Sequence, residues 1–298
     1  MRYSLALPAD DPARLLRAAR TLERHGIDAG FLTDHPAPDT RWLAAGGHHA
    51  LEPTVALAAA GAATSSLRLH THIYVLAYRN PFLAAKALTT LDALAPGRLI
   101  LGVGAGYLRP EFTALGVPFD ERGDRLDESL EVLRALWAGE VVAGSGAGWS
   151  AKGVEQSPAP ASPPPIWIGG NSAAARRRVA QHGQGWSPFP TPEGLADAAR
   201  TASMATVADV TRGVEQLAEE LDRVGRNPAD VDVCFGPFGF ERYLAGEIPA
   251  EEMRHQIAEL ERAGVTWLTL SPDAPNHAGY EAQVARIADE LVAPEGRA

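Results

Sequence analysis

The chain has 298 residues, 46% of them hydrophobic and 21% charged, an ordinary globular composition with enough length for a large core. Its net charge of −10 argues against a nucleic-acid partner or an anionic membrane surface, while a local basic spot still suffices for a phosphate. Cys234 is the only cysteine, which excludes an internal disulfide and a Cys-based zinc cluster. Residues 1–15 lack a long apolar h-region and no run approaches the roughly 20 apolar residues of a membrane span, so a cytoplasmic protein is expected.

Short apolar runs alternate with longer amphipathic segments. Residues 3–8 read as a strand, followed by a helix that Asp11 caps, Pro12 starts and Gly26 stops. Strand 29–34, an Ala-rich helix 53–65, strand 67–76 and helix 80–94 with Asn80 as cap come next. Strand 98–104 precedes a strongly periodic helix 122–137, with Leu126, Leu130, Leu133 and Trp137 on one face. The Gly/Ser/Pro-rich stretch 140–165 reads as a long surface loop. Then follow strand 165–170, helix 172–183, strand 185–189 and a helical stretch ending near Gly225. Strand 230–236, helix 250–264, strand 265–271 and a last helix over about 279–293 complete the chain.

Eight strand-like runs, most followed by a helix, read as near-continuous apolar stretches of a parallel sheet buried on both faces. The expectation is a single domain over 1–298, one (β/α)8 TIM barrel with an insertion loop around 140–165.

The stretch "LILGVGAGYLRPEF" tests an alternative. A Rossmann fingerprint needs G-x-G-x-x-G opening straight into a helix. Here the glycines at 102, 104 and 106 are spaced G-x-G-x-G on the fourth strand, and the next clear helix starts near Arg122. What remains is a strand end of small residues on the face where barrel active sites form. Glycine there admits a flat or phosphorylated ligand against the backbone. The second small-residue turn, "WIGGNSAAARRR", opens directly into a helix whose first N–H groups favour an anion. Ser172 caps that helix and Arg176 and Arg177 lie one turn on.

"FLTDHP", "LRLHTHIYVLAYRNPFLAAKALTTLDALAPGRLILGVGAGYLRPEF" with its continuation to "RALW", and "PPIWIGGNSAAARRRVAQHGQGW" together resemble the bacterial luciferase-like family. The likeness is closest to its coenzyme F420-dependent oxidoreductases and covers most of residues 1–190. It implies a barrel holding F420, or alternatively FMN, at the strand C-termini. It further implies a cis peptide between His72 and Ile73 behind the ring, with Gly104, Ala105, Gly106, Tyr107, Gly170, Asn171 and Ser172 at the cofactor tail and phosphate. Tyr107 departs from a sugar-phosphate-oxidising relative, which carries a glutamate there.

His35 follows Asp34 at the end of the second strand. An imidazole titrates near neutral pH and can move the proton that accompanies a hydride. By the resemblance His35 is the catalytic residue and Asp34 its orienter. His70 and His72 alternate on one strand face. A metal site would need further ligands, and Trp186, Phe235 and Ser271 at later strand ends supply none, so no metal is expected. His48, His49 and Glu52 read equally as substrate contacts or helix caps, and Glu111 as a cap or salt bridge. Trp42, Tyr74, Tyr107 and Trp186 are aromatics near strand ends that read either as walls for a flat ring or, each taken alone, as core.

The expected activity is hydride transfer between the deazaflavin C5 and a small organic substrate. The alternatives are an FMN-dependent two-component monooxygenase supplied by a separate reductase, and a non-catalytic flavin-binding protein. By family analogy the chain is expected to form a homodimer.

Overall fold

The computed structural model describes residues 1–9, 11–192, 196 and 201–292. Its strands in chain order are β1 (Arg2–Ala6), β2 (Ala29–Leu32), β3 (Arg68–Val75), β4 (Leu99–Gly104), β5 (Val142–Gly146), β6 (Trp149–Val154), β7 (Ile166–Gly169), β8 (Gly185–Ser187), β9 (Asp232–Phe235) and β10 (Trp267–Leu270). The helices are α1 (Pro12–Arg24), α2 (Thr40–Ala44), α3 (Pro53–Ala63), α4 (Pro81–Leu94), α5 (Arg109–Ala114), α6 (Arg122–Trp137), α7 (Ala173–His182), α8 (Val207–Arg223), α9 (Phe240–Leu244), α10 (Ala250–Arg262) and α11 (His277–Ile287).

Eight of these strands close into a parallel barrel in the order β1-β10-β9-β8-β7-β4-β3-β2, and the β1–β2 pairing seals it. This is the expected (β/α)8 architecture. Local chemistry sets the helix starts. Asp11 accepts from the Ala13 N–H at 2.8 Å ahead of Pro12, and Asn80 accepts from the Phe82 N–H at 3.0 Å ahead of Pro81. Helix α6 buries Leu126, Leu130, Leu133 and Trp137 against the barrel, as its periodicity predicts. Inside the barrel, Ala29, Ile100, Trp167, Cys234 and Trp267 form a separate apolar cluster, with the two tryptophan rings 5.2 Å apart. That plug closes the interior, so ligands are confined to the mouth at the strand C-termini.

Two departures matter. The stretch expected as a loop at 140–165 contains an antiparallel hairpin, β5–β6. It is exposed and Gly-rich, so it carries no apolar alternation; α6 holds it instead, through Glu128, which accepts from Ala147 N–H (2.7 Å) and Trp149 Nε1–H (3.1 Å). Between β4 and α6, where no helix was expected, the six-residue α5 turns Glu111 and Phe112 inward. Among the described residues no helix is long and apolar enough to cross a membrane.

Candidate active site

Strand β2 is buried at all four positions and delivers Thr33, Asp34 and His35 to the barrel rim. Asp34 is 3% exposed. Its Oδ2 accepts from the Val75 N–H (2.8 Å) and from Arg79 Nη1 (2.5 Å), and its Oδ1 accepts from Arg79 Nη2 (2.9 Å). The Arg79 guanidinium also lies 3.9 Å over the Tyr74 ring. Burial disfavours the charge on Arg79, but the hydrogen bonds and charge of Asp34 more than reverse this and hold its pKa above the ordinary value. The expectation that Asp34 orients His35 is therefore corrected: both of its oxygens are committed to the end of β3.

The carboxylate facing His35 is Glu111, which sequence reasoning left as a cap or salt bridge. It is fully buried. Its Oε2 accepts from the Tyr78 hydroxyl at 2.6 Å, and its Oε1 accepts from the Ala37 N–H at 3.3 Å. The same Oε2 lies 3.5 Å from His35 Nδ1, a buried nitrogen that makes no hydrogen bond of its own. Burial first, and then Glu111, raise the pKa of the Tyr78 hydroxyl, so it stays a donor. Around the His35 ring stand Trp42 at 4.5 Å, His48 edge-on at 5.0 Å and Tyr107 at 6.3 Å. His48 Nε2 is 2.9 Å from the Thr33 hydroxyl. Its pKa is lowered by desolvation and then by its neighbour His35. Tyr107, 39% exposed, is the open side of this box. Glu52 caps α3, accepting from the Val55 N–H at 2.8 Å, and also meets Arg79 at 3.4 Å.

Strand β3 forms the floor. Its pairing with β4 slips between Thr71 and Tyr74, and the His72–Ile73 peptide within that slip is cis. The neighbouring glycines make room for Ile73: a Cβ on Gly104 or on Gly169 would come within 3.0 Å of its side chain. Gly106 has φ +81°, and a Cβ there would press on Val75 at 2.8 Å. His72 Nδ1 lies 3.3 Å from the Ser187 hydroxyl, and desolvation pushes its pKa down to about 4, so it is neutral near pH 7. His70, fully buried one layer deeper, meets the Ser4 hydroxyl at 3.0 Å, and burial, then His72, lower its pKa too. Of the aromatics that read as ring walls or as core, Tyr74 and Trp186 are 1% and 0% exposed and belong to the core.

The turn after β7 is divided in its duties. Asn171 is fully buried: its amide nitrogen donates to Phe189 O (3.0 Å), Thr191 Oγ1 (2.9 Å) and Ala202 O (3.0 Å), and its Oδ1 accepts from the Phe189 N–H (3.0 Å). Its amide nitrogen and its backbone N–H, which donates to Thr201 Oγ1 at 3.1 Å, are committed to protein acceptors, so the side chain braces the turn. Ser172 caps α7, accepting from the Ala175 N–H at 3.2 Å. The N–H groups of Ser172, Ala173 and Ala174 have no intrahelical acceptor there and are the ones suited to an anion. Arg176 is tied back to the Asn171 carbonyl at 2.9 Å, while Arg177 is exposed.

Between the ends of β3, β8, β9 and β10 lies a cavity of about 470 Å³ with His72 on its wall. A larger hollow of about 800 Å³ sits beneath the start of β7 between α6 and α7, at the opposite end of the barrel from His35.

Residues 2–292 match the luciferase-like monooxygenase family. A protein of Nakamurella multipartita named F420-dependent glucose-6-phosphate dehydrogenase is 33% identical over 226 residues, 74% of this chain and 64% of that one. One of the same name from Gordonia bronchialis is 26% identical over 286 residues, 94% of this chain and 77% of that one. Among solved structures, the monooxygenase RslO1 from Streptomyces bottropensis superimposes with a TM-score of 0.81 at 20% identity, covering 98% of this chain and 99% of that one.

Proposed function

The chain belongs to the luciferase-like monooxygenase family and is an enzyme; from that premise we propose that it binds coenzyme F420 and moves a hydride between the deazaflavin C5 and a small organic substrate. Relatives named for F420-dependent dehydrogenation support this cofactor. The observation that carries the reading is His35, poised at the barrel rim with its Nδ1 turned 3.5 Å from a buried carboxylate.

The residues present fit the group. Residues 104–106 and the start of α7 offer backbone with little or no side chain, and Arg177 stands one turn on for an anionic tail. Gly104, Ala105, Gly106, Tyr107, Gly170 and Ser172 would hold the tail and phosphate, and His72 and Ile73 would lie behind the ring. F420 supplies the two-electron chemistry, and the chain supplies orientation and proton handling. With an Nδ1–H directed at Glu111, His35 presents Nε2 as the nitrogen that gives or takes a proton at the substrate. Tyr78 and the Ala37 N–H hold the carboxylate in place, so the ring orientation is set before substrate arrives. Trp42 packs on the His35 ring at 4.5 Å and Tyr107 stands at 6.3 Å on the open side.

Titrating the apo-protein with F420 and, separately, with FMN while following cofactor fluorescence tests this reading. Quenching by F420 supports it; tight FMN binding without an F420 response favours the alternative, an FMN monooxygenase served by a separate reductase. A non-catalytic carrier would bind cofactor and be indifferent to His35→Ala. We also place the chain in a homodimer, because Val55 on the Ala-rich α3 is 70% exposed and Leu83 on adjacent α4 is 72% exposed. Sedimentation equilibrium at twice the 31.6 kDa chain mass checks this.

A further inference from the structure

The cavity beside His72 has a charge character that differs from what its relatives' names call for. At about 470 Å³ it is the size of a small-molecule site. Phe189, Phe240 and Leu244 give it apolar walls, and the charged side chains on its lining are Glu241 and Asp273, both exposed at the rim. No lysine or arginine occurs among its described lining residues. The whole chain has two lysines: Lys86 on α4 bonds the Ser157 carbonyl, and Lys152 sits on the β6 hairpin strand. Among the described arginines near this face, Arg79 is held by Asp34, Arg14 by the Ala274 carbonyl and Arg176 by the Asn171 carbonyl, and neither these nor the exposed Arg177 line the cavity. The one imidazole on the wall, His72, is kept neutral by burial.

An anion entering this cavity would lose hydration and gain no charge-assisted hydrogen bond from its described lining. It would also approach two carboxylates on a chain of net charge −10. We propose that the substrate taken into this cavity is uncharged or cationic and largely apolar, and that phosphate esters and carboxylates are rejected. The proposal rests on the barrel mouth being the reaction site of a hydride-transferring enzyme. It separates this chain from the sugar-phosphate substrate in the names of its relatives.

The test uses four probes on one carbon frame: cyclohexanol, cyclohexylammonium, cyclohexanecarboxylate and cyclohexyl phosphate. Each is titrated calorimetrically into the cofactor-loaded protein at low salt. The neutral and ammonium probes are expected to bind, with the two anions roughly three- to tenfold weaker, the combined effect of two exposed charges. Raising the salt should shrink that gap. The variant Glu241→Gln/Asp273→Asn should abolish the advantage of the ammonium probe over cyclohexanol and leave cyclohexanol unchanged. Anions that bind as tightly as cyclohexanol, no binding by any probe, or efficient turnover of glucose 6-phosphate would overturn the proposal. Cofactor identity is read separately from the F420 and FMN titrations. A chain that ignores F420 but discriminates these probes loses the F420 reading and keeps this one.

Discussion

Asp34→Asn separates two jobs that a carboxylate beside His35 can have. In the structure Asp34 is a stability residue: its side chain is 1% exposed, that of Arg79 is 18% exposed, and the pair is bidentate. Removing one charge from a buried pair costs about 3–5 kcal/mol, because the remaining charge stays desolvated. Arg79 keeps some water and has Glu52 at 3.4 Å, which places the cost at the lower end, about 3 kcal/mol. With an unfolding entropy near 2.1 cal/mol/K per residue, a chain of this length loses about 5 °C in Tm. Differential scanning calorimetry measures that loss. Steady-state kinetics at 25 °C, well below the transition, should show kcat within about threefold of the parent. Pairing the change with Arg79→Met should recover at least half of the lost stability, since a matched apolar replacement leaves no stranded ion. A Tm within about 1 °C of the parent together with a hundredfold loss of kcat would refute this reasoning and return Asp34 to the reaction.

His35→Ala should lower kcat by about a hundredfold or more while F420 affinity stays within a few-fold, measured by turnover and by fluorescence titration. Glu111→Gln should lower kcat by roughly tenfold with little change in KM, because it removes the negative charge that faces His35 Nδ1 at 3.5 Å; an unchanged kcat removes Glu111 from its positioning role. Asn171→Ala removes the amide partner of the Ala202 carbonyl and the Phe189 N–H, while Thr191 Oγ1 still donates to the Phe189 carbonyl at 2.9 Å, and should cost about 3 kcal/mol, seen as a Tm drop of about 5 °C. Lost F420 affinity at an unchanged Tm would instead restore Asn171 to the phosphate site. Stability should also fall on acidification in two windows. His72 titrates at 6.5 when unfolded and at about 4 when folded, so between those values the unfolded chain takes up a proton that the folded chain refuses, and up to about 3 kcal/mol is lost as the pH falls through that window. Burial lowers His70 in the same sense. Glu23 accepts from three N–H groups and two hydroxyls, which outweigh its desolvation and hold its pKa at about 2, so its contribution disappears below 4.5. A denaturation midpoint independent of pH from 7 to 4 would contradict the histidine assignment.

The barrel was legible because its strands are mostly buried runs of three to eight residues, and three of the first four helices open on a capping residue and a proline. Asp11–Pro12 and Asn80–Pro81 are local signals that need no tertiary context. The β5–β6 hairpin was not legible. Its residues are exposed and Gly-rich, and the groups that hold it are on α6, so propensity reads the segment as loop. Tyr74 and Trp186 are ambiguous for another reason. They are aromatics near strand ends, but which face of the strand they occupy is decided by the barrel's tilt and by the slip in β3, neither of which is written in local pattern.

The site is harder to read than the fold because its decisive pairings cross the barrel. Asp34 and His35 are adjacent in sequence, and adjacency suggested that one orients the other. Successive residues leaving a strand point to opposite sides, however, so the two are sent to different partners. Asp34 turns toward β3 and meets Arg79, 45 residues on. His35 turns toward β4 and meets Glu111, which arrives through a helix too short to announce itself. Glu111 gathers its own supports from 33 and 74 residues away, Tyr78 and Ala37. A buried carboxylate with two protein donors and a third, unpartnered nitrogen at 3.5 Å is costly to keep unless that nitrogen's orientation matters. That cost is the physical reason to assign the proton-handling role to the His35–Glu111 pair rather than to either residue alone.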